Sequence, residues 1–195
     1  MFQILSMEGP PSNMDCCSCG SHEGGRYKCS DCFFTGLLCL DCCLADHARH
    51  PFHRIKRWTG TYFARTTLAE LGYVLYLGHG GSRCPSMGEA RGGDWNGTLV
   101  VVDIGHIHTH NVAWCTCTDA PSKWTQLIEM QLYPGSVQYP RTAFTFRLLD
   151  YYQLDATECN TTPQSFCTKL RRSTNKHHPD TVPVSVLTHC GLNSG

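Results

Sequence analysis

The chain has 195 residues, enough for one domain or two small ones, and it carries 14 cysteines and 11 histidines. Basic and acidic residues balance at 16 each and charged residues are only 16 % of the chain, which argues against strong nonspecific binding of polyanions by the chain as a whole. No apolar run is long enough to cross a bilayer, and the opening MFQILSMEGPPSN lacks the basic and apolar regions of a secretory signal.

Residues 1–15, with Pro10-Pro11, are expected to form a flexible lead. Without an export route thiols stay reduced, so clustered cysteines are read as metal ligands and not as disulfides. The sequons at Asn96 and Asn160 are then chance matches. In residues 16–57 the candidate ligands come in pairs: Cys16 and Cys19, Cys29 and Cys32, Cys39 and Cys42, His47 and His50. Two residues between partners make a tight turn from which both side chains reach one tetrahedral ion. Eight ligands make two closed zinc sites within residues 16–53, and a closed site is structural because no position is left for water or substrate. Spacing alone does not say which pairs share an ion. Cys17 and Cys43 are left over, and His53 is an alternative to His50. The apolar residues Phe33, Phe34, Leu37, Leu38 and Leu40 are too few for a core, so metal is expected to hold this segment folded.

From Trp58 the character changes, and residues 58–172 are expected to form a second region. RTTLAEL suggests a short turn of helix, with a strand following at Tyr73–Leu77. The glycine-rich stretch 78–97 reads as a long loop holding Cys84-Pro85. Leu99–Trp114 reads as two strands, or one strand bent at Gly105. LIEMQLYP reads as a strand ending at Pro134, and Thr142–Leu154 as a helix. A second helix is expected from Thr162 as N-cap and Pro163 at the first position to about Arg172. Residues 173–195 read as a disordered tail. The fold class is α+β: a small cross-braced zinc-binding module, then a small β-rich region with C-terminal helices.

A second, sparser array comprises Cys84, His106, His108, His110, Cys115 and Cys117. Alternation along a strand puts the three histidines on one face, where they could make an open, hydrolytic zinc site. The competing reading joins Cys84, one histidine, Cys115 and Cys117 in a closed third site, and a further reading has no metal there at all. Nearby thiolates favour the closed site. Asp103 is the nearest carboxylate, and its spacing places it on the opposite face from the histidines.

RYKCSDC, LLCLDC and HARHPFHRI together resemble a ZZ-type zinc finger and, more loosely, a B-box. The resemblance implies interleaved sites: Cys16, Cys19, Cys39 and Cys42 on one ion, Cys29, Cys32, His47 and His50 on the other. ZZ fingers often bind protein N-termini through acidic residues, but FFTGLL between the second and third pairs holds no carboxylate.

From about Arg26 to about Arg172 the chain is similar to the second CxC-type cysteine cluster associated with KDZ transposases, found mainly in fungal mobile elements. The pieces that carry the similarity are HPFHRI-x2-WTG, LGHGG-x2-CP, IH-x6-C-x-C, and YP-x-TAFTF-x-LLD. The resemblance places Cys84, His108, Cys115 and Cys117 on family positions, while His106 and His110 look individual to this chain. It implies a non-enzymatic zinc-binding accessory region that sits upstream of an RNase H-like catalytic domain. It also implies a nuclear location, with DNA, transposase or chromatin proteins as partners, and neither a membrane nor a small-molecule substrate. The residues after Arg172 are too few for that catalytic domain, so a remnant lacking it is expected. Arg54, Lys56, Arg57 and Trp58 are the candidate DNA or partner contacts. Two alternatives stand beside this reading: a peptide-binding adaptor built on the ZZ-like module, and a zinc hydrolase built on His106, His108 and His110.

Overall fold

The computed structural model describes residues 13–22, 24–33, 36–87, 96–176 and 178–182. The chain divides into two compact units, Met1–Tyr73 and Val74–Gly195.

The first unit is a three-stranded antiparallel sheet with one helix. Its elements are β1 (Tyr27–Cys29), α1 (Leu40–His47), β2 (Ile55–Trp58) and β3 (Phe63–Thr66), and the strand order is β1-β2-β3. Cys29 pairs with Ile55 and Ile55 with Thr66, so the metal-ligand segment and the segment after it share one sheet. The sequence boundary at 57/58 therefore moves to 73/74: it would have cut the sheet through β2. Leu68 joins the core of this unit with Cys29, Leu38, Cys43 and Ile55, and Leu71 and Tyr73 pack beside them. Of the apolar residues expected to be scarce core material, only Leu37 and Leu38 are buried among the described ones; Phe33 and Leu40 are exposed, and Phe34 lies outside the described residues. The expected helical turn after β3 is a single turn. Thr67 Oγ1 accepts from Glu70 N at 3.1 Å, and the Glu70 carboxylate accepts from Thr67 N at 3.0 Å, a reciprocal cap.

The second unit is a mixed five-stranded sheet in the order β4-β6-β5-β8-β7, with three helices. Its elements are β4 (Val74–Tyr76), β5 (Gly97–Asp103), β6 (His106–Ala113), α2 (Lys123–Glu129), β7 (Leu132–Pro134), β8 (Thr142–Thr145), α3 (Phe146–Cys159) and α4 (Pro163–Thr174). β5 and β6 are separate antiparallel strands, turning at Ile104-Gly105 with Gly105 at φ +83°. β4 runs parallel to β6, and β8 parallel to β5. Val102, Phe144, Leu148, Phe166 and Leu170 form the core, where α3 and α4 pack on one face of the sheet.

Two segments divide where the sequence suggested one element. LIEMQLYP ends α2 before it becomes β7, because Ser122 caps a helix through Thr125 N and the chain leaves it through Gln131 at φ +58°. Thr142–Thr145 is strand, not helix: it is hydrogen-bonded to β5 on one side and to β7 on the other. Thr145 then serves as the N-cap of α3, accepting from Leu148 N at 3.3 Å. The helix from Pro163 runs to Thr174, and Thr162 caps it as expected. Residues of the expected disordered tail are therefore ordered as far as Thr174, and Val182 beyond it is buried. Residues 183–195, like residues 1–12 of the lead, lie outside the described residues.

Buried Asp103 ties β5 to the start of α3. It accepts from Thr145 Oγ1 at 2.7 Å and from Arg147 Nε at 2.7 Å, with a second contact to Arg147 Nη2. Burial acts to raise the carboxyl's pKa, but the bonds from Arg147 and Thr145 outweigh it and hold the pKa below its usual value. We predict that Thr145→Ala, which loses both a helix cap and a donor to a buried carboxylate, costs about 1–3 kcal/mol in urea unfolding. A depressed folded-state pKa stabilises above the unfolded pKa and stops doing so as pH falls through the folded one. Asp103→Asn is thus expected to destabilise at neutral pH, and its deficit against the parent protein to shrink below about pH 4.

Candidate metal centres

Three groups of four Cys and His side chains, and only these among the described residues, bring their ligand atoms within 4.8 Å of one another. Each mixes contributions from distant turns, so none would form without the fold.

The first group is Cys16, Cys19, Cys39 and Cys42. Cys16 and Cys19 flank a turn closed by Gly20 N donating to Cys16 O at 2.7 Å. Cys39 is the N-cap of α1, its sulfur accepting from Cys42 N at 3.5 Å, so this pair sits on the first turn of the helix. Backbone N–H of Cys39 donates to Cys16 Sγ at 3.2 Å, and Cys19 and Cys39 sulfurs stand 3.8 Å apart. Burial works against ionising Cys16, yet the backbone N–H groups of Cys19, Cys39 and Ser18 bring its pKa down to about 6. Cys42, beside the sulfurs of Cys39 and Cys19, is pushed up to about 12. Cys16 is poised to ionise while Cys42 resists, a conflict that a bound cation removes.

The second group is Cys29, Cys32, His47 and His53. Cys29 Sγ accepts from the backbone N–H of Asp31 and Cys32, both at 3.3 Å. His53 Nδ1 stands 3.3 Å from Cys32 Sγ and 3.5 Å from Cys29 Sγ, and His47 Nε2 stands 3.6 Å from Cys32 Sγ. His47 Nδ1 lies 2.7 Å from the Cys43 carbonyl. That bond assigns one proton to Nδ1 and turns Nε2 toward the sulfurs, where a bound metal would take the place of the second proton, the usual support for a ligating histidine. Burial acts to lower the His47 pKa, but its bonds to Cys29 and Cys43 prevail and raise it to about 11.

His50 does not join this group, contrary to the spacing argument. It is exposed, its ring stacked on His53 with centroids 4.9 Å apart. The reason is the β1–β2 ladder. Cys29 pairs with Ile55, and Ser30 N donates to Arg54 O at 2.9 Å, so the residue just before Arg54 is laid against the Cys29–Cys32 turn. Two successive turns, His50 N to His47 O and His53 N to His50 O, carry the chain there from the end of α1.

The third group is His79, Cys84, Cys115 and Cys117. His79 Nε2 is 3.1 Å from Cys115 Sγ and 3.4 Å from Cys117 Sγ, and Cys84 Sγ is 3.8 Å and 3.5 Å from those two sulfurs. Backbone N–H of Thr116 is the main cause bringing the Cys84 pKa down to about 5. Buried Gln126 on α2 fixes the Cys115 backbone: Oε1 accepts from Cys115 N at 2.9 Å, and Nε2 donates to Pro121 O at 2.9 Å. Gly78 has φ +82°, and a Cβ there would stand 2.9 Å from Cys115 Cβ, so only glycine lets the chain pass this close.

His79 thus stands where His108 was expected. His108 lies seven residues before Cys115, roughly 23 Å along an extended strand, and cannot reach it. His79 can because β4 and β6 are parallel and in register, Tyr76 opposite Ala113, so the residues after both strands emerge side by side. The signal was in the sequence, as the histidine of LGHGG placed five residues before Cys84.

His106, His108 and His110 do share a face of β6, with ring centroids 6.3 Å and 6.0 Å apart, but their nitrogens form no converging group. Burial, with a smaller part from His108, lowers the His110 pKa to about 3. Asp103 pairs with His106 across the hairpin and so lies on the histidine face, not opposite it; its carboxylate is taken by Thr145 and Arg147. The basic set also splits. Arg54 is bound to Asp31 through Nε and its backbone N–H, while Arg57 projects from the opposite face of β2 to Lys56 and Trp58.

Residues 68–178 match the family described as a CxC2-like cysteine cluster associated with KDZ transposases. The third group lies within this match, and the first two precede it. No curated protein and no solved structure matches the chain.

Metal analysis of single variants checks the regrouping. We predict that His53→Ala and His79→Ala each lower bound zinc by up to one ion per chain, while His50→Ala and His108→Ala leave the stoichiometry of the parent protein.

Proposed function

The chain belongs to the family of CxC2-like cysteine clusters associated with KDZ transposases, and from that premise we propose that it is a non-enzymatic, zinc-stiffened accessory region of such a transposase, contacting DNA or protein partners in the nucleus. The observation that carries the zinc reading is that all three groups are complete tetrads of thiolate and imidazole donors. Sulfur and imidazole suit zinc and disfavour magnesium or calcium, and four protein ligands leave no open position for substrate or activated water. The metals would supply cross-links. In the first unit they would tie the N-terminal turn to α1, and β1 to the chain after α1; in the second, the loop after β4 to the end of β6.

The ligand sharing in the first unit supports a ZZ-like module, because the first pair meets the third and the second meets the fourth histidine-bearing segment. A peptide-reading use of that module finds less support. Asp31, a carboxylate close to the ligands, is occupied by Arg54.

The test uses the whole chain of 195 residues. We expect three zinc ions per chain, and cobalt exchange giving intense thiolate-to-cobalt bands and the ligand-field pattern of tetrahedral sites. We also expect a strong chelator to abolish the cooperative thermal transition of the first unit. A folded chain that holds no zinc, or whose melt is unchanged by chelation, would refute the reading. So would a five-coordinate cobalt spectrum, because it would show an open site.

A further inference from the structure

The sheet of the first unit places three cations side by side. Lys28 on β1 is directly opposite Lys56 on β2, and Lys56 directly opposite Arg65 on β3. Directly opposed residues project from the same face, so the three form one row across all three strands, about 10 Å wide at the usual strand spacing.

The same face carries aromatic rings where a solvated surface has no need of them. Trp58 is two residues beyond Lys56 and is opposite Phe63, two residues before Arg65. The two half-buried rings meet at 4.9 Å between centroids, tilted by 56°. Lys28 Nζ lies 5.8 Å from the Phe63 centroid, which joins the cationic row to the aromatic pair. At the tip of the β2–β3 hairpin Tyr62 is 61 % exposed.

We propose that this face binds single-stranded nucleic acid, with backbone phosphates on Lys28, Lys56 and Arg65 and unpaired bases stacked on Trp58 and Phe63. A cationic row beside an aromatic platform is the chemistry of sequence-tolerant single-strand binding. The charge complementarity calls for a polyanion. The rings call for base faces, and in a duplex those faces are hidden by their neighbours in the stack. The site lies outside residues 68–178, in the unit of which the family match covers only residues 68–73. The inference rests on the zinc reading above only in that the first unit must be folded.

The test measures binding of the full-length, zinc-loaded chain to short labelled oligothymidylate, oligouridylate and a duplex of equal length, by anisotropy across a salt series. Both single strands are expected to bind more tightly than the duplex. The logarithm of affinity should fall with the logarithm of salt at a slope of about −2, from about 0.7 for each phosphate contact. Lys28→Gln, Lys56→Gln and Arg65→Gln should each reduce that slope by about 0.7. Trp58→Leu should weaken binding by about fivefold or more without changing the slope. Zinc content and circular dichroism of each variant confirm that it is folded. Zinc-loaded protein that binds no oligonucleotide, prefers the duplex, or keeps its salt slope in all three charge variants would overturn this inference and leave the zinc reading standing. Loss of zinc from the parent protein would instead strike the earlier reading.

Discussion

Sulfur crowding is the constraint from which this molecule follows. In each tetrad, four thiol or imidazole donor atoms lie within 4.8 Å of one another. Backbone N–H groups favour ionisation of one thiol, Cys16 in the first group and Cys84 in the third, while Cys42 in the first and Cys115 in the third are shifted up. A divalent soft cation satisfies all four donors at once. The apolar core of the first unit is small and two of its members, Cys29 and Cys43, are themselves cysteines beside or within the second tetrad. The segment therefore has little else to oppose its conformational entropy.

The two units meet the same need by different means. The second has a hydrophobic core in which α3 and α4 cover one face of a five-stranded sheet, so its tetrad sits at one end of a body that packing already holds. In the first, two of the four elements carry ligands themselves: α1 carries Cys42 and His47, and β1 ends in Cys29. On the face of the first sheet opposite Cys29 and Ile55, cationic and aromatic side chains collect.

Local features were legible in the sequence and long-range ones less so. The Cys-x2-Cys turns, the Thr162–Pro163 helix start and the β5–β6 hairpin follow from spacing and residue type, which act over a few positions. The histidine ligands did not. His50 has the better spacing, but the β1–β2 register selects His53. His108 lies in the cysteine-bearing segment, but parallel pairing of β4 with β6 selects His79 from far upstream. Thr142–Thr145 was misread for the same reason. Its apolar spacing continues that of α3, and only its two neighbouring strands, β5 and β7, show it to be an inner strand of a sheet.

If the third tetrad holds zinc as proposed, the short pairing of β4 with β6 bears on the protein's fate in a zinc-poor cell. β4 is an edge strand of three residues, and the third tetrad fastens its outgoing chain to the end of β6. If that clasp opens, β4 can peel away and bare the N–H and C=O groups of Asn111 to Ala113, a ready template for another copy of the chain. The clasp would then be a guard against self-association as well as a brace, and starvation for the metal would show first as clumping before it showed as unfolding.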